Sequence, residues 1–191
     1  MKPSPRFAFG GAIAAAFILS ALVASRQADS QPAQSNPFTK IATVLQHPRC
    51  MNCHPRDDHP RQGIDRHLHT MSITRGADNQ GAIGARCSAC HRDENNDTGV
   101  PGAPHWHLAP ASMGWQGLSV TELCNTLKDP KLNGNRSLAQ LVTHMSEDKL
   151  VLWGWAPGKD VEGKDREPVP IPHDEVVGLV KAWAATGGAC P

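Results

Sequence analysis

Apolar residues recur with a helical period in four separate stretches of the chain. The first stretch begins at Asn36, which can cap a helix that has Pro37 at its first position. Its apolar face consists of Phe38, Ile41, Val44 and Leu45. Because the pattern ends before His47, it predicts one short helix upstream of the first cysteine pair.

The other three stretches lie in the C-terminal third. Two begin with a serine, at Ser119 and Ser137, that is followed three residues later by Glu or Gln, a spacing typical of a capping box. The third runs from about residue 174 to about residue 186 and is followed by two glycines, which favour the end of a helix. Their apolar positions are Val120, Leu123, Cys124, Leu127, Leu138, Leu141, Val142, Met145, Val176, Val180 and Trp183. The pattern predicts about three helices packed on one another.

Residues 55–116 show little periodicity and are rich in Gly, Pro, Asp and Asn. This composition is typical of loops. The predicted fold class is therefore mainly α with extensive irregular loops.

The first 25 residues have the order of a secretory signal peptide. Lys2 and Arg6 precede an apolar run at residues 7–24, with a small-residue cleavage site at residues 23–25. An uncleaved membrane anchor is the alternative, because the run is close to the lower length limit for a span. In both cases the rest of the chain is exported, which predicts a periplasmic location.

Residues 26–35 are polar and predict a flexible linker, which leaves residues 36–191 as the working domain. The chain has 19 Lys and Arg against 18 Asp and Glu, a formal net charge of +1, which excludes a nucleic-acid binder that relies on bulk charge. Three of its four Phe lie in the predicted signal peptide. A domain so poor in aromatic residues needs another source of apolar surface, such as a bound cofactor.

Two sequences of the form Cys-x-x-Cys-His carry the most specific chemical signal. They consist of Cys50, Cys53 and His54, and of Cys87, Cys90 and His91. Two thiols one helical turn apart can bond to the two vinyl groups on one side of a porphyrin, and the adjacent imidazole then binds the iron as its proximal ligand. The sequence thus predicts two covalent c-type haems, each containing iron, which the loops wrap and which pack against the C-terminal helices.

Other uses of the two cysteine pairs are a zinc ion held by four thiolates, a redox dithiol of the thioredoxin type, and two structural disulfides. None of these needs the histidine that follows the second cysteine in both motifs. That histidine, together with the predicted export, favours haem.

Each motif is followed by a His-x-His pair and then by a methionine, which suggests a duplicated haem-binding unit. The alternative is a chance pattern in a chain with ten His. The predicted distal ligand is His69 for the first haem and either His105 or His107 for the second. Met71 and Met113 are the rival ligands, and a ligand that crosses between units is not excluded. The histidines expected at the surface, or near a haem without binding it, are His47, His59, His144 and His173.

Cys124 and Cys190 lie outside the motifs. In an oxidising compartment we expect them to form a disulfide, and free thiols are the alternative.

Residues 47–55 and 103–115 resemble segments of small exported dihaem c-type cytochromes that often carry the label isoquinoline 1-oxidoreductase subunit. The resemblance extends from about Phe38 to Pro191 and includes residues 153–158. It implies an exported molybdenum hydroxylase, or a related exported dehydrogenase, as the redox partner. The present chain shows no cofactor module of such an enzyme.

The function that we expect is that of a periplasmic electron carrier, without enzymatic activity, for a redox protein partner. The first alternative is a small peroxidase-like haem enzyme with one open iron position, and the second is a zinc-bound interaction module. We expect no nucleic-acid partner, and a membrane contact only if the N-terminal segment is uncleaved.

Overall fold

The computed structural model describes Met1 and residues 36–191. The predicted signal segment after Met1 and the predicted linker at residues 26–35 lie outside the described residues. The α-helices of the described part are α1 (Pro37–Leu45), α2 (Pro48–Met51), α3 (Cys87–Cys90), α4 (Val120–Lys128), α5 (Leu138–Glu147), α6 (Lys149–Leu152) and α7 (His173–Ala185). These helices confirm a mainly α fold, whereas the wrapping of haems by loops stays a prediction. In residues 36–191 we find no helix with the length and hydropathy that a membrane span requires.

Helix α1 forms where its capping pattern predicted it. The Asn36 side chain accepts a hydrogen bond from the backbone amide of Phe38, and Pro37 occupies the first turn, where a helix needs no N–H donor. All four apolar positions of the predicted face are buried. The helix ends at Leu45, as the pattern before His47 predicted.

Helices α4 and α5 both begin with the predicted capping box. The Ser119 side chain accepts from the amide of Glu122, and the Glu122 carboxylate accepts from the amide of Ser119. Ser137 and Gln140 make the same reciprocal pair at the start of α5. Each box satisfies two backbone donors that the first helical turn leaves without a partner, and so it fixes where the helix starts.

Helix α7 lies in the core between α1 and α5. The ring centres of Phe38 and Trp183 are 5.2 Å apart, and both side chains are fully buried. Helix α4 packs against α1 and adds Leu123 and Cys124, which are also fully buried. Burying one large apolar side chain stabilises a fold by about 1.5–3 kcal/mol. The buried side chains of α1, α4 and α7 therefore stabilise the packing of these helices.

The chain reverses direction after α7 at two glycines. Gly187 and Gly188 have φ values of +70° and +73°, a left-handed conformation that glycine adopts without steric cost. The turn brings Cys190 next to α4, where its sulfur lies 2.06 Å from that of Cys124. The structure thus contains the cysteine pair that we expected from the sequence.

Between α2 and α4 the chain is mostly loop, as its low periodicity predicted. Strands β1 (Arg61–Gln62) and β2 (His67–Leu68) form a small antiparallel hairpin, and two single 3-10 turns follow at Thr70–Ser72 and Ala111–Met113. The sequence pattern did not predict the hairpin, because two-residue strands are too short to show alternation.

A buried arginine holds this loop region together. The Arg75 side chain is 5% exposed, and its guanidinium donates to the backbone carbonyls of Pro55, Asp57 and Ala109. Pro55 follows the first motif directly, and the amide of Ala109 donates to the carbonyl of Cys53. Arg75 therefore joins the two chain segments that flank the first motif.

Candidate haem sites

The first motif lies on α2 and the turn that follows it. His47 caps the helix by accepting a hydrogen bond from the amide of Arg49. The amide of Cys53 donates to the carbonyl of Cys50 at 3.1 Å, which places the two cysteines one helical turn apart. This is the spacing that bonding to the two vinyl groups of one porphyrin requires.

His54 is held in a defined orientation and tautomer. Its Nδ1 donates to the backbone carbonyl of Met113 at 2.9 Å, and its ring stacks on Trp115 with ring centres 3.4 Å apart. Because a carbonyl can only accept, Nδ1 carries the proton and Nε2 presents a lone pair. Burial lowers the pKa of His54 to about 3, so the ring is neutral at pH 7. A neutral imidazole with a free Nε2 is the form that binds a metal.

A cavity separates the first motif from the C-terminal helices. It is partly open to solvent, and Cys50, Cys53 and His54 are among its lining residues. Helices α1, α4, α5 and α7 contribute the apolar lining residues Ile41, Leu45, Leu127, Leu141, Met145, Val180 and Trp183.

Two polar atoms at this cavity have no partner within the described structure. The indole nitrogens of Trp115 and Trp183 are buried without a hydrogen bond, and both residues line the cavity. Buried donors without a partner are uncommon in folded proteins and require an explanation.

The four motif cysteines are free thiols, so neither motif forms a disulfide. Burial raises the pKa of Cys50 to about 12 and that of Cys53 to about 11, so both are thiols at pH 7. No three His, Cys, Asp or Glu side chains of residues 36–191 come together as a metal site. A haem iron needs no such cluster, because the porphyrin itself supplies four of its ligands.

The second motif lies on α3, so Cys87 and Cys90 are also one helical turn apart. The amide of His91 donates to the carbonyl of Cys87 at 2.9 Å, and His91 Nδ1 donates to the carbonyl of Pro101 at 2.7 Å. The ring of His91 stacks on Trp106 with centres 4.5 Å apart. His91 thus presents a free Nε2, as His54 does in the first motif.

The surroundings of the second motif are more open. Cys90 is exposed, and a cleft of about 940 Å³ is lined by His91 together with polar side chains that include Asp78 and Asp93. The first motif faces an apolar cavity, whereas the second faces water. The two sites therefore differ in polarity although their motifs match.

His69 lies at the second motif and not at the first, where we expected it. The ring centres of His69 and His91 are 6.0 Å apart, although His69 is not among the residues that line the first cavity or the cleft at the second motif. Spacing along the sequence does not show this placement. His69 Nδ1 donates to the carbonyl of Thr70 at 2.7 Å, which leaves its Nε2 free as well.

The other predicted distal candidates are distributed over both sites. His105 is exposed at the cleft, and His107 lines both the cleft and the first cavity. Met113 is buried in the wall of the first cavity, on the segment that supports His54. Met71 is 80% exposed and lines neither space.

One more histidine lies at the first cavity. His144, which we expected at the surface or near a haem without binding it, lines the cavity from α5, and its Nδ1 lies 3.0 Å from a carboxylate oxygen of Asp148. The i,i+4 spacing of these two residues was visible in the sequence, although only the packing of α5 shows that they face this space.

The two sites adjoin. His107 and Pro110 line both the first cavity and the cleft at the second motif. Trp153, which lines the first cavity, lies edge-on to Trp106 with ring centres 5.0 Å apart, and Trp106 stacks on His91. An aromatic contact therefore connects the wall of one site to the histidine of the other.

Comparisons with models of protein families, with curated proteins and with solved structures found no match to this chain.

Proposed function

We propose that this protein is a periplasmic electron carrier with two c-type haems. Cys50 and Cys53 would attach the first haem and Cys87 and Cys90 the second. The observation that carries the proposal is the shared geometry of the two motifs. In each, two thiols lie one helical turn apart, and the following histidine donates a hydrogen bond from Nδ1 to a backbone carbonyl. A fixed Nδ1–H is typical of histidines that bind a metal through Nε2.

The residues around the first motif fit a haem. The cavity offers an apolar lining, and two of its lining residues have a buried indole donor without a partner. Arg49 and Arg136 also line it and supply positive charge for acidic groups at a porphyrin rim. When bound, each haem supplies an iron that gains and loses one electron. The protein would contribute the proximal imidazoles of His54 and His91 and the apolar wall of the first site.

At the second motif, the residue best placed as sixth ligand is His69. A metal–imidazole bond is about 2 Å long and the ring centre lies about 1 Å further, so two imidazoles on one ion have centres about 6 Å apart. The observed separation of His69 and His91 is 6.0 Å. An iron with two imidazole ligands has no open position, which favours electron transfer over peroxide chemistry.

The adjacency of the two sites supports transfer between them. Residues shared by both spaces, and the contact of Trp106 with Trp153, leave no thick layer of protein between the motifs. The exposed second motif is the natural point of exchange with a partner, because an electron needs only close approach. The partner that the family resemblance suggests is an exported molybdenum hydroxylase or another exported dehydrogenase, from which electrons would pass toward the respiratory chain.

The experiment is to express the full chain in a cell that attaches c-type haems and to count haem per chain by pyridine haemochrome. We expect two haems in the wild type and one in each of the double variants C50A/C53A and C87A/C90A. The matched control is C124A/C190A, which removes two cysteines outside the motifs and should keep both haems. A wild-type protein without covalent haem would refute the proposal, and strong carbon monoxide binding by the reduced wild type would favour a haem enzyme with an open iron instead.

A further inference from the structure

The search for a sixth ligand at the first motif begins with the cavity lining. The histidines and methionines in that lining, apart from His54, are His107, His144, Met113 and Met145. The sequence analysis named His107 and Met113 as distal candidates and placed Met145 on the apolar face of a helix. It did not name His144 as a ligand. The position and hydrogen bonds of each decide between them.

Helix α5 holds His144 in a fixed place. The helix starts at a complete capping box and packs along α7, so the residues of its last turn are fixed relative to the core. His144 is partly buried, with 24% of its side chain exposed. A side chain on a packed helix is better preorganised to bind a metal than one on a loop.

Asp148 fixes the tautomer of His144. One carboxylate oxygen of Asp148 lies 3.0 Å from His144 Nδ1, and the other accepts a hydrogen bond from the amide of Leu150 at 2.9 Å. Asp148 caps α6 in this way, so its own position does not depend on the histidine. Because a carboxylate accepts, Nδ1 carries the proton and Nε2 is left with a free lone pair. A carboxylate behind an imidazole is a frequent arrangement at metal sites.

The three rivals are less well placed. The backbone carbonyl of Met113 accepts the hydrogen bond from His54 Nδ1, so Met113 supports the proximal histidine. His107 lies on the loop between the two sites and lines both of them. Met145 is 9% exposed and belongs to the apolar core between the helices.

We infer that His144 is the distal ligand of the haem attached to the first motif, with Asp148 as its positioning residue. The inference rests on the proposed function, since it requires a haem at Cys50 and Cys53. With His69 at the second motif, both irons would have two imidazole ligands. His144 would bind through Nε2 from α5, so the C-terminal helices would close the first site and not only shield it.

The test is electron paramagnetic resonance and near-infrared magnetic circular dichroism on H144A, with haem counted in the same sample. We expect H144A to keep two haems while one of them becomes high-spin and, when reduced, binds carbon monoxide. Added imidazole should return that haem to the low-spin state. The conservative variant H144M should keep a low-spin haem but show thioether in place of imidazole ligation, and it serves if H144A folds poorly.

Three controls make the outcome specific. M145L and H107A should leave both haems low-spin with two imidazoles, and H59A tests a histidine that lines neither site. If H144A and H144M keep the wild-type spectra, or if M145L or H107A produces the high-spin haem, the inference is overturned. A wild-type protein without haem would instead refute the proposed function, so the two failures are distinguishable.

Asp148 has its own readout. In D148N the imidazole loses its carboxylate partner and becomes less basic, which destabilises the ferric state relative to the ferrous state. We expect the first haem to stay low-spin with a more positive midpoint potential and the second to be unchanged. An unchanged potential of the first haem in D148N would show that Asp148 is not a positioning residue for His144.

Discussion

The disulfide between Cys124 and Cys190 closes a long segment that contains no haem motif. Its two cysteines are separated by 66 positions, and the segment includes α5, α6 and α7. On the chain-entropy account, cross-linking a segment of this length removes freedom from the unfolded chain and stabilises the fold by about 4 kcal/mol. A small domain has a total stability of about 5–15 kcal/mol, so loss of the link should be large by comparison.

The variant C190A is the better perturbation, because Cys190 is only partly buried whereas Cys124 is fully buried. We expect guanidinium unfolding of holo C190A, followed by far-ultraviolet circular dichroism, to show a free energy of unfolding lower by about 4 kcal/mol. The dependence on denaturant should become steeper, since an unfolded chain without the link exposes more surface.

Reduction of the wild type with a thiol reagent provides the control. It breaks the same bond without changing a side chain, so it should reproduce the loss seen in C190A. A loss below about 1 kcal/mol in both experiments would refute the entropic reasoning and would mean that packing of α4 and α7 alone holds the C-terminus.

Three further predictions address the loop region and the second site. R75M should lower the free energy of unfolding by about 3 kcal/mol in the same denaturant assay, because buried carbonyls lose their donor; a loss within error of zero would contradict the role of Arg75. H69A should convert one haem to a high-spin form that binds carbon monoxide, and the converted haem should persist in C50A/C53A and vanish in C87A/C90A; the reverse would place His69 at the first motif. Arg86 lowers the pKa of Asp78 from 3.8 to about 2, so this carboxylate stabilises the fold above about pH 4 and ceases to do so as the pH falls toward 2. In acid titrations followed by circular dichroism, D78N should therefore lose less stability between pH 4 and 2 than the wild type does. An equal loss in both proteins would show that the ion pair does not contribute.

Local signals predicted the four longest helices of residues 36–191, α1, α4, α5 and α7. The capping side chains of Asn36, Ser119 and Ser137 accept hydrogen bonds from backbone amides two or three residues away, and all three caps form as predicted. The end of α7 at two glycines follows from local backbone preference in the same way. Such features are readable because the interacting groups are close in sequence.

The assignment of residues to the two sites could not be read in the same way. His69 follows the first motif in sequence, but its ring centre lies 6.0 Å from that of His91 in the second. His144 reaches the first cavity only because α5 packs on α7. Arg75 has no motif, and its role depends on carbonyls from two distant segments. These placements arise from tertiary contacts, which helical periodicity and motif spacing do not encode.

The central claim is that two porphyrins are bonded to this chain. Intact-mass measurement of the denatured, exported protein from a cell with the haem-attachment machinery tests it most directly. The account predicts a mass above that of the polypeptide by two haems, which denaturation and thiol reagents do not remove. A mass equal to that of the polypeptide alone would contradict the account.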